Sequence, residues 1–264
     1  MPSVAAELVA YSEPTHRPTS SDVIHTIGLD NIFVQFGQSI SVSPRQHGIT
    51  DQRFLEAWES SALLAFGDTK LSARLEDSLA TTLSEPELAG IDGFLSSSFG
   101  KRVTTLEQSS HAIAGEAQIA ALAKGKTLYW SVSERRKAQF EELLDLSGAE
   151  MTFAIISESL RGMALGLHLA SGGDIETPWE EIDNAVKIQL SGIRESLAEA
   201  AHATLAYTYH DLTDAELEDY LSFLRTPAAR KFYDTATLAV GDIIRETMFG
   251  LGESVAIRLR RADI

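Results

Sequence analysis

The chain has 264 residues, of which 44% are hydrophobic, and these values are typical of a folded protein with a substantial core. Its formal net charge of −16 argues against nucleic-acid binding, because that affinity depends on Lys and Arg side chains that neutralise phosphates. The absence of cysteine excludes disulfide bonds, thiolate catalysis and cysteine-ligated metal sites.

The N-terminal segment, residues 1–18, is rich in Ser, Thr and Pro and predicts an extended tail. It shows neither the basic nor the apolar region of a signal peptide. We therefore expect either a cytoplasmic protein or one whose presequence has been removed. No segment approaches the roughly 20 apolar residues that a helix needs to cross a bilayer, so we expect no membrane span.

Helical periodicity dominates the rest of the chain, and period-2 strand alternation is absent. The pattern predicts an all-α fold with helices at 21–36, 51–82, 85–95, 99–124, 134–146, 149–169, 178–210, 214–224 and 227–259. A weak strand pattern at 127–132 is interpreted as a connector that anchors Tyr129 and Trp130 in the core.

Two segments of the chain echo each other. Residues 83–102 align with 212–231, 129 positions later, and the identical pairs are Leu83/Leu212, Glu87/Glu216, Leu88/Leu217, Phe94/Phe223 and Leu95/Leu224. The alignment also matches Ser84 with Thr213, and each hydroxyl is followed three residues later by a glutamate, which predicts a capping box at the start of both helices.

A second echo aligns 27–33 with 147–153 at a spacing of 120, matching Gly28 with Gly148 and Phe33 with Phe153. Together the echoes predict two degenerate copies of a multi-helix unit, packed as helical bundles. The first unit would span 19–127 and the second 128–264. The repeated residues are caps and core positions, and they include no catalytic group.

The second unit resembles a proteobacterial family of uncharacterised function. The resemblance rests on 136–144 and 146–150, where a helix ends in L-x-x-x-G-A, and on 212–217 and 223–231, which follow E-L-x-x-h-h-x-F-h-x-S/T-P-x-G-x-K, with h apolar. Ala229 replaces the glycine of that pattern. The resemblance implies an all-helical protein of the periplasm and transfers no active site.

Candidate metal ligands are few. Glu199 and His202 have the i, i+3 spacing of helix-bundle di-metal sites, and Glu107 and His111 lie four residues apart on another helix. A complete di-metal site needs two Glu-x-x-His motifs and two further glutamates. A solvated helix face with an incidental histidine is the simpler interpretation, so we expect no metal and no other cofactor.

Three functional classes follow from these patterns. The first is a non-enzymatic helical binding or scaffold protein that holds a protein, peptide or lipid partner, in a monomer or an oligomer. The second is a metal-dependent enzyme that uses Glu107, His111, Glu199 and His202. The third is a carrier of an apolar ligand, with a cavity lined by Phe33, Phe36, Trp58, Phe66 and Phe153. We expect the first, because every strong pattern in the chain is structural.

Overall fold

Twelve α-helices and one 3₁₀ turn, Leu29–Asn31, make up the regular structure of a computed structural model that describes residues 17–46, 48–147, 149–170 and 179–261. The helices are α1 Ser20–Ile27, α2 Ile32–Gln46, α3 Gln52–Phe66, α4 Lys70–Thr82, α5 Glu85–Leu95, α6 Ser98–His111, α7 Glu116–Ser131, α8 Glu134–Ser147, α9 Ala149–Ala170, α10 Trp179–Thr208, α11 Asp214–Leu224 and α12 Pro227–Arg261. No strand occurs within these ranges, so the predicted all-α fold is confirmed.

Capping boxes begin α5 and α11, as the sequence predicts. The Glu87 carboxylate accepts a hydrogen bond from the backbone N–H of Ser84 at 2.8 Å, and the Glu216 carboxylate accepts one from that of Thr213 at 2.7 Å. The Thr213 hydroxyl in turn accepts from the backbone N–H of Glu216 at 3.2 Å. These bonds satisfy N–H groups that a helix start leaves without partners in the helix.

Three predicted helices are interrupted at glycines, so the predictions of continuous helices over 21–36, 51–82 and 99–124 are wrong. Gly28 and Gly115 have φ angles of +80° and +61°, which side chains disfavour, and they redirect the chain after α1 and before α7. Gly67 ends α3 and donates its N–H to the carbonyl of Leu63 at 3.0 Å.

The segment 127–132 is not the buried connector that the sequence predicts. Residues 127–131 form the last part of α7, and the side chain of Trp130 is 66% exposed. The Nζ atom of Lys137 lies 5.5 Å from the Trp130 ring centroid. Because Trp130 projects from the outer side of the helix, only Tyr129 of this pair is half-buried.

The two halves of the chain pack across each other. The longest helix, α12, lies along α9 and also packs against α3 and α4, while α7 packs along α10. One apolar core comes from α1 to α5 with α9 and α12, and another from α6, α8, α10 and α11. The last helix of each predicted unit thus contacts helices of the other unit.

Aligned residues of the two echoed segments make reciprocal ion pairs. Lys231 Nζ lies 2.9 Å from Glu87 Oε2, and Arg102 pairs with Glu216. The 129-position alignment matches Glu87 with Glu216 and Arg102 with Lys231. Exchanging the aligned residues of the two segments therefore turns the Glu87–Lys231 pair into the Glu216–Arg102 pair.

The predicted limits of the units differ from the helix limits. The boundary between 127 and 128 lies inside α7, which continues to Ser131, and Ser133 begins α8 by accepting a hydrogen bond from the Arg136 N–H at 3.2 Å. Of the predicted tail 1–18, only residues 17 and 18 are described, and they form no helix. None of the described helices is long and apolar enough to cross a membrane, as the sequence predicts.

Candidate ligand-binding cavity

A cavity of about 360 Å³ lies where the end of α1, the start of α2, the corner between α6 and α7, and α10 meet. Small-molecule sites in proteins have volumes of roughly 300 to 1,000 Å³, so this cavity is large enough for a small ligand. Its apolar lining residues are Ile27, Leu29, Ile32, Ile113, Ala121 and Leu122. Its polar lining residues are Gln35, Ser110, His111, Gln118, Thr204 and Tyr207, and Gly28 completes the wall.

Side-chain hydrogen bonds hold the walls of the cavity together. Gln108 on α6 donates its side-chain N–H to the carbonyl of Thr26, in the last turn of α1, at 3.0 Å. Thr208 at the end of α10 donates its hydroxyl to Ser110 Oγ at 2.8 Å. These bonds attach α6 to α1 on one side and to α10 on the other.

In the second half of the chain, α9 and α12 are in close contact. A Cβ atom added to Gly162 of α9 would lie 2.2 Å from the carbonyl oxygen of Arg245 on α12, and one added to Gly166 would lie 2.2 Å from that of Phe249. Both distances are far shorter than van der Waals contact. This helix pair can therefore pack as it does only because both positions are glycine.

The first half of the chain has side chains at these two positions. Continued beyond the aligned residues 27–33 and 147–153, the 120-position offset places Val42 and Gln46 of α2 where Gly162 and Gly166 lie in α9. Within the described residues, α2 packs along α3 and not along α6 or α7. Close packing like that of α9 on α12 is thus absent between α2 and α7 in the part of the chain that the structure describes.

Individual side chains show the same difference between the halves. Leu122 of α7 lines the cavity, whereas Leu251, which lies opposite it when the 129-position offset is continued beyond 83–102, is fully buried in the core. Ile119 is 70% exposed, whereas Met248, which aligns with it, is 2% exposed. Ile119 and Leu122 of α7 are therefore less covered than Met248 and Leu251 of α12.

A buried carboxylate network lies beside the cavity. Glu107, one turn before His111 on α6, accepts hydrogen bonds from the hydroxyl groups of Tyr209 at 2.5 Å and Tyr220 at 2.8 Å. Burial raises the pKa of Glu107 above its ordinary value of 4.5, and the two tyrosine hydrogen bonds oppose part of this rise. Burial and the neighbouring Glu107 carboxylate raise the pKa values of both tyrosines well above 10.0.

Arg136 fixes the loop that carries Tyr209. Its guanidinium donates to the carbonyl oxygens of Tyr209 at 2.8 Å and Leu212 at 2.6 Å, and it pairs with Asp214 at 2.7 Å. Since the Arg136 side chain is only 11% exposed, these three partners satisfy a charge that would be costly to bury alone. The loop in turn holds the Tyr209 hydroxyl against Glu107.

The structure places the four candidate metal ligands in two separate locations. On α6, Glu107 is engaged by tyrosines and His111 lines the large cavity. On α10, Glu199 and His202 line a different, small cavity of about 30 Å³. Nowhere in the described ranges do three or more His, Asp or Glu side chains form a group that could hold a metal ion.

Glu199 and His202 have partners of their own on α7 and α8. Glu199 Oε2 lies 2.9 Å from Lys126 Nζ. The His202 ring stacks on Tyr129 with centroids 4.6 Å apart, and its Nε2 lies 2.8 Å from Glu141 Oε1, although the two atoms are not aligned for a hydrogen bond. These contacts pair the two side chains with helix neighbours and not with Glu107 or His111.

The five aromatic residues that the sequence suggests for an apolar-ligand cavity do not line a common space. Phe33, Trp58 and Phe66 are buried in the first core, and Phe36 packs edge-on against Phe66 with ring centroids 5.1 Å apart. Phe153 belongs to a separate apolar cluster. This predicted lining is wrong, because these rings fill the helix interfaces.

Sequence patterns identify only His111 among the residues that line the large cavity. The others come from several helices and share no motif. The available signal is indirect: two glycines one turn apart in 149–170 indicate that this helix can pack closely against another.

Comparisons of the chain with protein-family models, with curated proteins and with solved structures find no match. The fold and the cavity define an all-α protein with a space of ligand size between its helices. The lining of that space and the close packing of α9 on α12 are therefore the observations that bear on function.

Proposed function

We propose that this chain is a non-enzymatic binding protein that holds a small molecule in the cavity between α1, α2, α6, α7 and α10. The observation that carries the proposal is the difference between the two halves of the chain. Gly162 and Gly166 let α9 and α12 pack closely in the second half, whereas in the first half α1, α2, α6, α7 and α10 surround a cavity of about 360 Å³. A space that one copy fills and the other keeps open is a specific feature of the first copy.

The size of the cavity decides between kinds of ligand. An α-helix with its side chains is about 10 Å across, so a helical peptide does not fit in this volume. A diacyl lipid is also too large to be enclosed. A small molecule is therefore the ligand class that the volume favours over the peptide or lipid partners suggested by the sequence.

We further propose that the fold consists of two degenerate copies of one unit, related by an approximate twofold exchange. The reciprocal pairs Glu87–Lys231 and Glu216–Arg102 support this relation. In a twofold interface, each contact between two surfaces occurs again with the surfaces exchanged. The crossed packing of α7 on α10 and of α12 on α3 follows the same rule.

Membership of the proteobacterial family that the second unit resembles, and a periplasmic location with it, are also proposals. Their support is the sequence pattern of 136–150 and 212–231. Cytoplasmic location is the alternative. Fractionation of cells that express the complete native gene separates the two locations.

Ligand-observed NMR with a mixed set of small aromatic fragments tests cavity binding. The set contains neutral, anionic and cationic members, so that the result does not depend on ligand charge. We expect some fragments to bind the wild-type protein and to lose binding in Ala121→Phe, which places a ring in the cavity.

The matched control is Ala123→Phe, two residues along the same helix at an exposed position. It adds the same ring outside the cavity and should leave fragment binding unchanged. A wild-type protein that binds no fragment of any charge, or fragments that bind both variants equally, would rule out the proposed site.

A further inference from the structure

The side chains that line the cavity carry little formal charge. Among the described lining residues there is no Lys, Arg, Asp or Glu, and there is one histidine, His111. Glu107, the nearest carboxylate along α6, is already bound by two tyrosine hydroxyls. On the α7 side, Lys124 Nζ lies 5.3 Å from the ring centroid of Tyr207.

A cationic ligand would therefore lose hydration without meeting a carboxylate in the lining, and an anionic ligand would meet no Lys or Arg there. Burying an unpaired charge is costly, whereas burying a neutral polar group costs little once it forms hydrogen bonds. The cavity offers such bonds from the side-chain amides of Gln35 on α2 and Gln118 on α7, each of which can both donate and accept.

The apolar lining limits the rest of the ligand. Ile27 ends α1, Leu29 begins the 3₁₀ turn and Ile32 begins α2. Ile113 lies in the corner between α6 and α7, and Leu122 lies on α7. They form a surface that favours a ring or a short hydrocarbon chain. Thr204 and Tyr207 of α10 add hydroxyl groups to the polar lining.

We infer that the ligand of this cavity is an uncharged molecule with an apolar ring or short chain and a hydrogen-bonding end that contacts Gln35 and Gln118. This inference rests on the proposed function and specifies the chemistry of its ligand. It distinguishes the protein from a carrier of organic acids or amines.

Three probes of the same shape and different charge test the inference: indole-3-acetamide, which is neutral, indole-3-acetate, which is anionic, and tryptamine, which is cationic. Titration calorimetry at neutral pH should show the amide binding at least about tenfold more tightly than either ion, since one missing ion partner costs more than a hydrogen bond contributes. Ala121→Phe should abolish binding of the amide, and Ala123→Phe should preserve it.

The role of the two amides has its own test. Gln35→Leu and Gln118→Leu should each weaken binding of indole-3-acetamide by about two- to tenfold, the effect of one net hydrogen bond. Binding of 3-methylindole, which lacks the amide, should be unaffected by both substitutions. Equal losses for both probes would mean that the glutamines act on packing and not on the polar end.

The outcomes separate this inference from the function on which it rests. If either ion binds as tightly as the amide and Ala121→Phe abolishes that binding, the cavity is a binding site and the neutral-ligand inference is wrong. If none of the probes binds, or if Ala121→Phe changes nothing, both the inference and the proposed function are overturned.

Discussion

Phe94 and Phe223, which occupy the same position in the two echoed segments, stack face to face with ring centroids 3.8 Å apart and an angle of 6° between their planes. An approximate twofold axis must pass close to any residue that contacts its own counterpart. The contact joins α5 to α11, and it lies close to the axis of the proposed twofold relation, which also exchanges the Glu87–Lys231 and Arg102–Glu216 pairs.

The first prediction concerns this ring pair. Phe94→Ala and Phe223→Ala should each lower the free energy of unfolding by an amount near the low end of about 3–5 kcal/mol, because both rings are only partly buried. The double variant should lose less free energy of unfolding than the two single variants lose together. The difference should be about 0.5–1.5 kcal/mol, which is the energy of an aromatic contact beyond burial.

Urea unfolding of the four proteins measures this coupling, and Phe94→Leu provides a variant that keeps apolar bulk without the ring. Losses that add within about 0.3–0.5 kcal/mol would show that the two rings do not interact.

The second prediction concerns Glu87. Hydrogen bonds from Ser84, mainly from its backbone N–H, and then the pairing with Lys231 lower the pKa of Glu87 from 4.5 to about 2. Lys231→Met should raise this pKa, but not to 4.5, because the Ser84 hydrogen bonds remain. Arg230→Met, which removes the neighbouring positive charge, is the matched control and should have a much smaller effect.

The sign of the pH dependence follows from the lowered pKa. A carboxylate with a lower pKa in the folded state stabilises the fold above its unfolded pKa, and this contribution is lost as the pH falls from about 4.5 towards about 2. Lys231→Met should therefore lose less stability than the wild type over that interval. NMR titration of the Glu87 carboxyl carbon checks the pKa, and an unchanged pKa in Lys231→Met would contradict the contact.

The third prediction concerns the close packing of α9 on α12. Gly162→Ala and Gly166→Ala should each destabilise the protein by about 1–3 kcal/mol or more, because the added methyl group meets backbone oxygen and not a side chain that can move. Gly192→Ala on α10 is the control, since an added Cβ there meets nothing within 4 Å.

That control should be neutral or stabilising by up to about 1 kcal/mol, because alanine favours helix more than glycine does. Denaturant unfolding measures all three variants. If Gly162→Ala proved as stable as Gly192→Ala, α9 and α12 would have room to separate. That result would contradict the close packing of these two helices on which the comparison with the cavity depends.

The helix starts were the part of the fold most accessible from sequence. Ser84 with Glu87 and Thr213 with Glu216 use side chains within three residues of each other, so local chemistry alone specifies where α5 and α11 begin. Interruptions at Gly28 and Gly115 were not accessible in this way. A glycine inside an apolar periodic pattern fits both a helix interior and a left-handed turn, and tertiary packing decides between them.

The cavity could not be predicted for a related reason. It results from the way α1, α2, α6, α7 and α10 come together, and apart from His111 no motif distinguishes its lining residues. Glu199 and His202 have the spacing of a ligand motif, and their contacts are Lys126 and Glu141 on neighbouring helices. Local spacing specifies a helix face and does not identify what that face meets.

The fourth prediction concerns Glu107. An acid whose pKa is raised by burial binds its proton more tightly in the folded state than in the unfolded state. Between 4.5 and the raised value the folded protein holds more protons, so this group lowers the stability of the fold as the pH rises through that interval. Glu107→Gln removes the titration and should become more stable relative to the wild type as the pH increases.

Tyr220→Phe is the opposing variant, because it removes a hydroxyl that donates to Glu107 at 2.8 Å and opposes the rise in pKa. In this variant the pKa of Glu107 should rise further, and the loss of stability with increasing pH should extend to higher pH than in the wild type. Thermal unfolding midpoints from acidic to neutral pH measure both effects. A difference in midpoint between Glu107→Gln and the wild type that stays constant with pH would show that Glu107 has the same pKa in the folded and unfolded states. That result would contradict the burial of this carboxyl group.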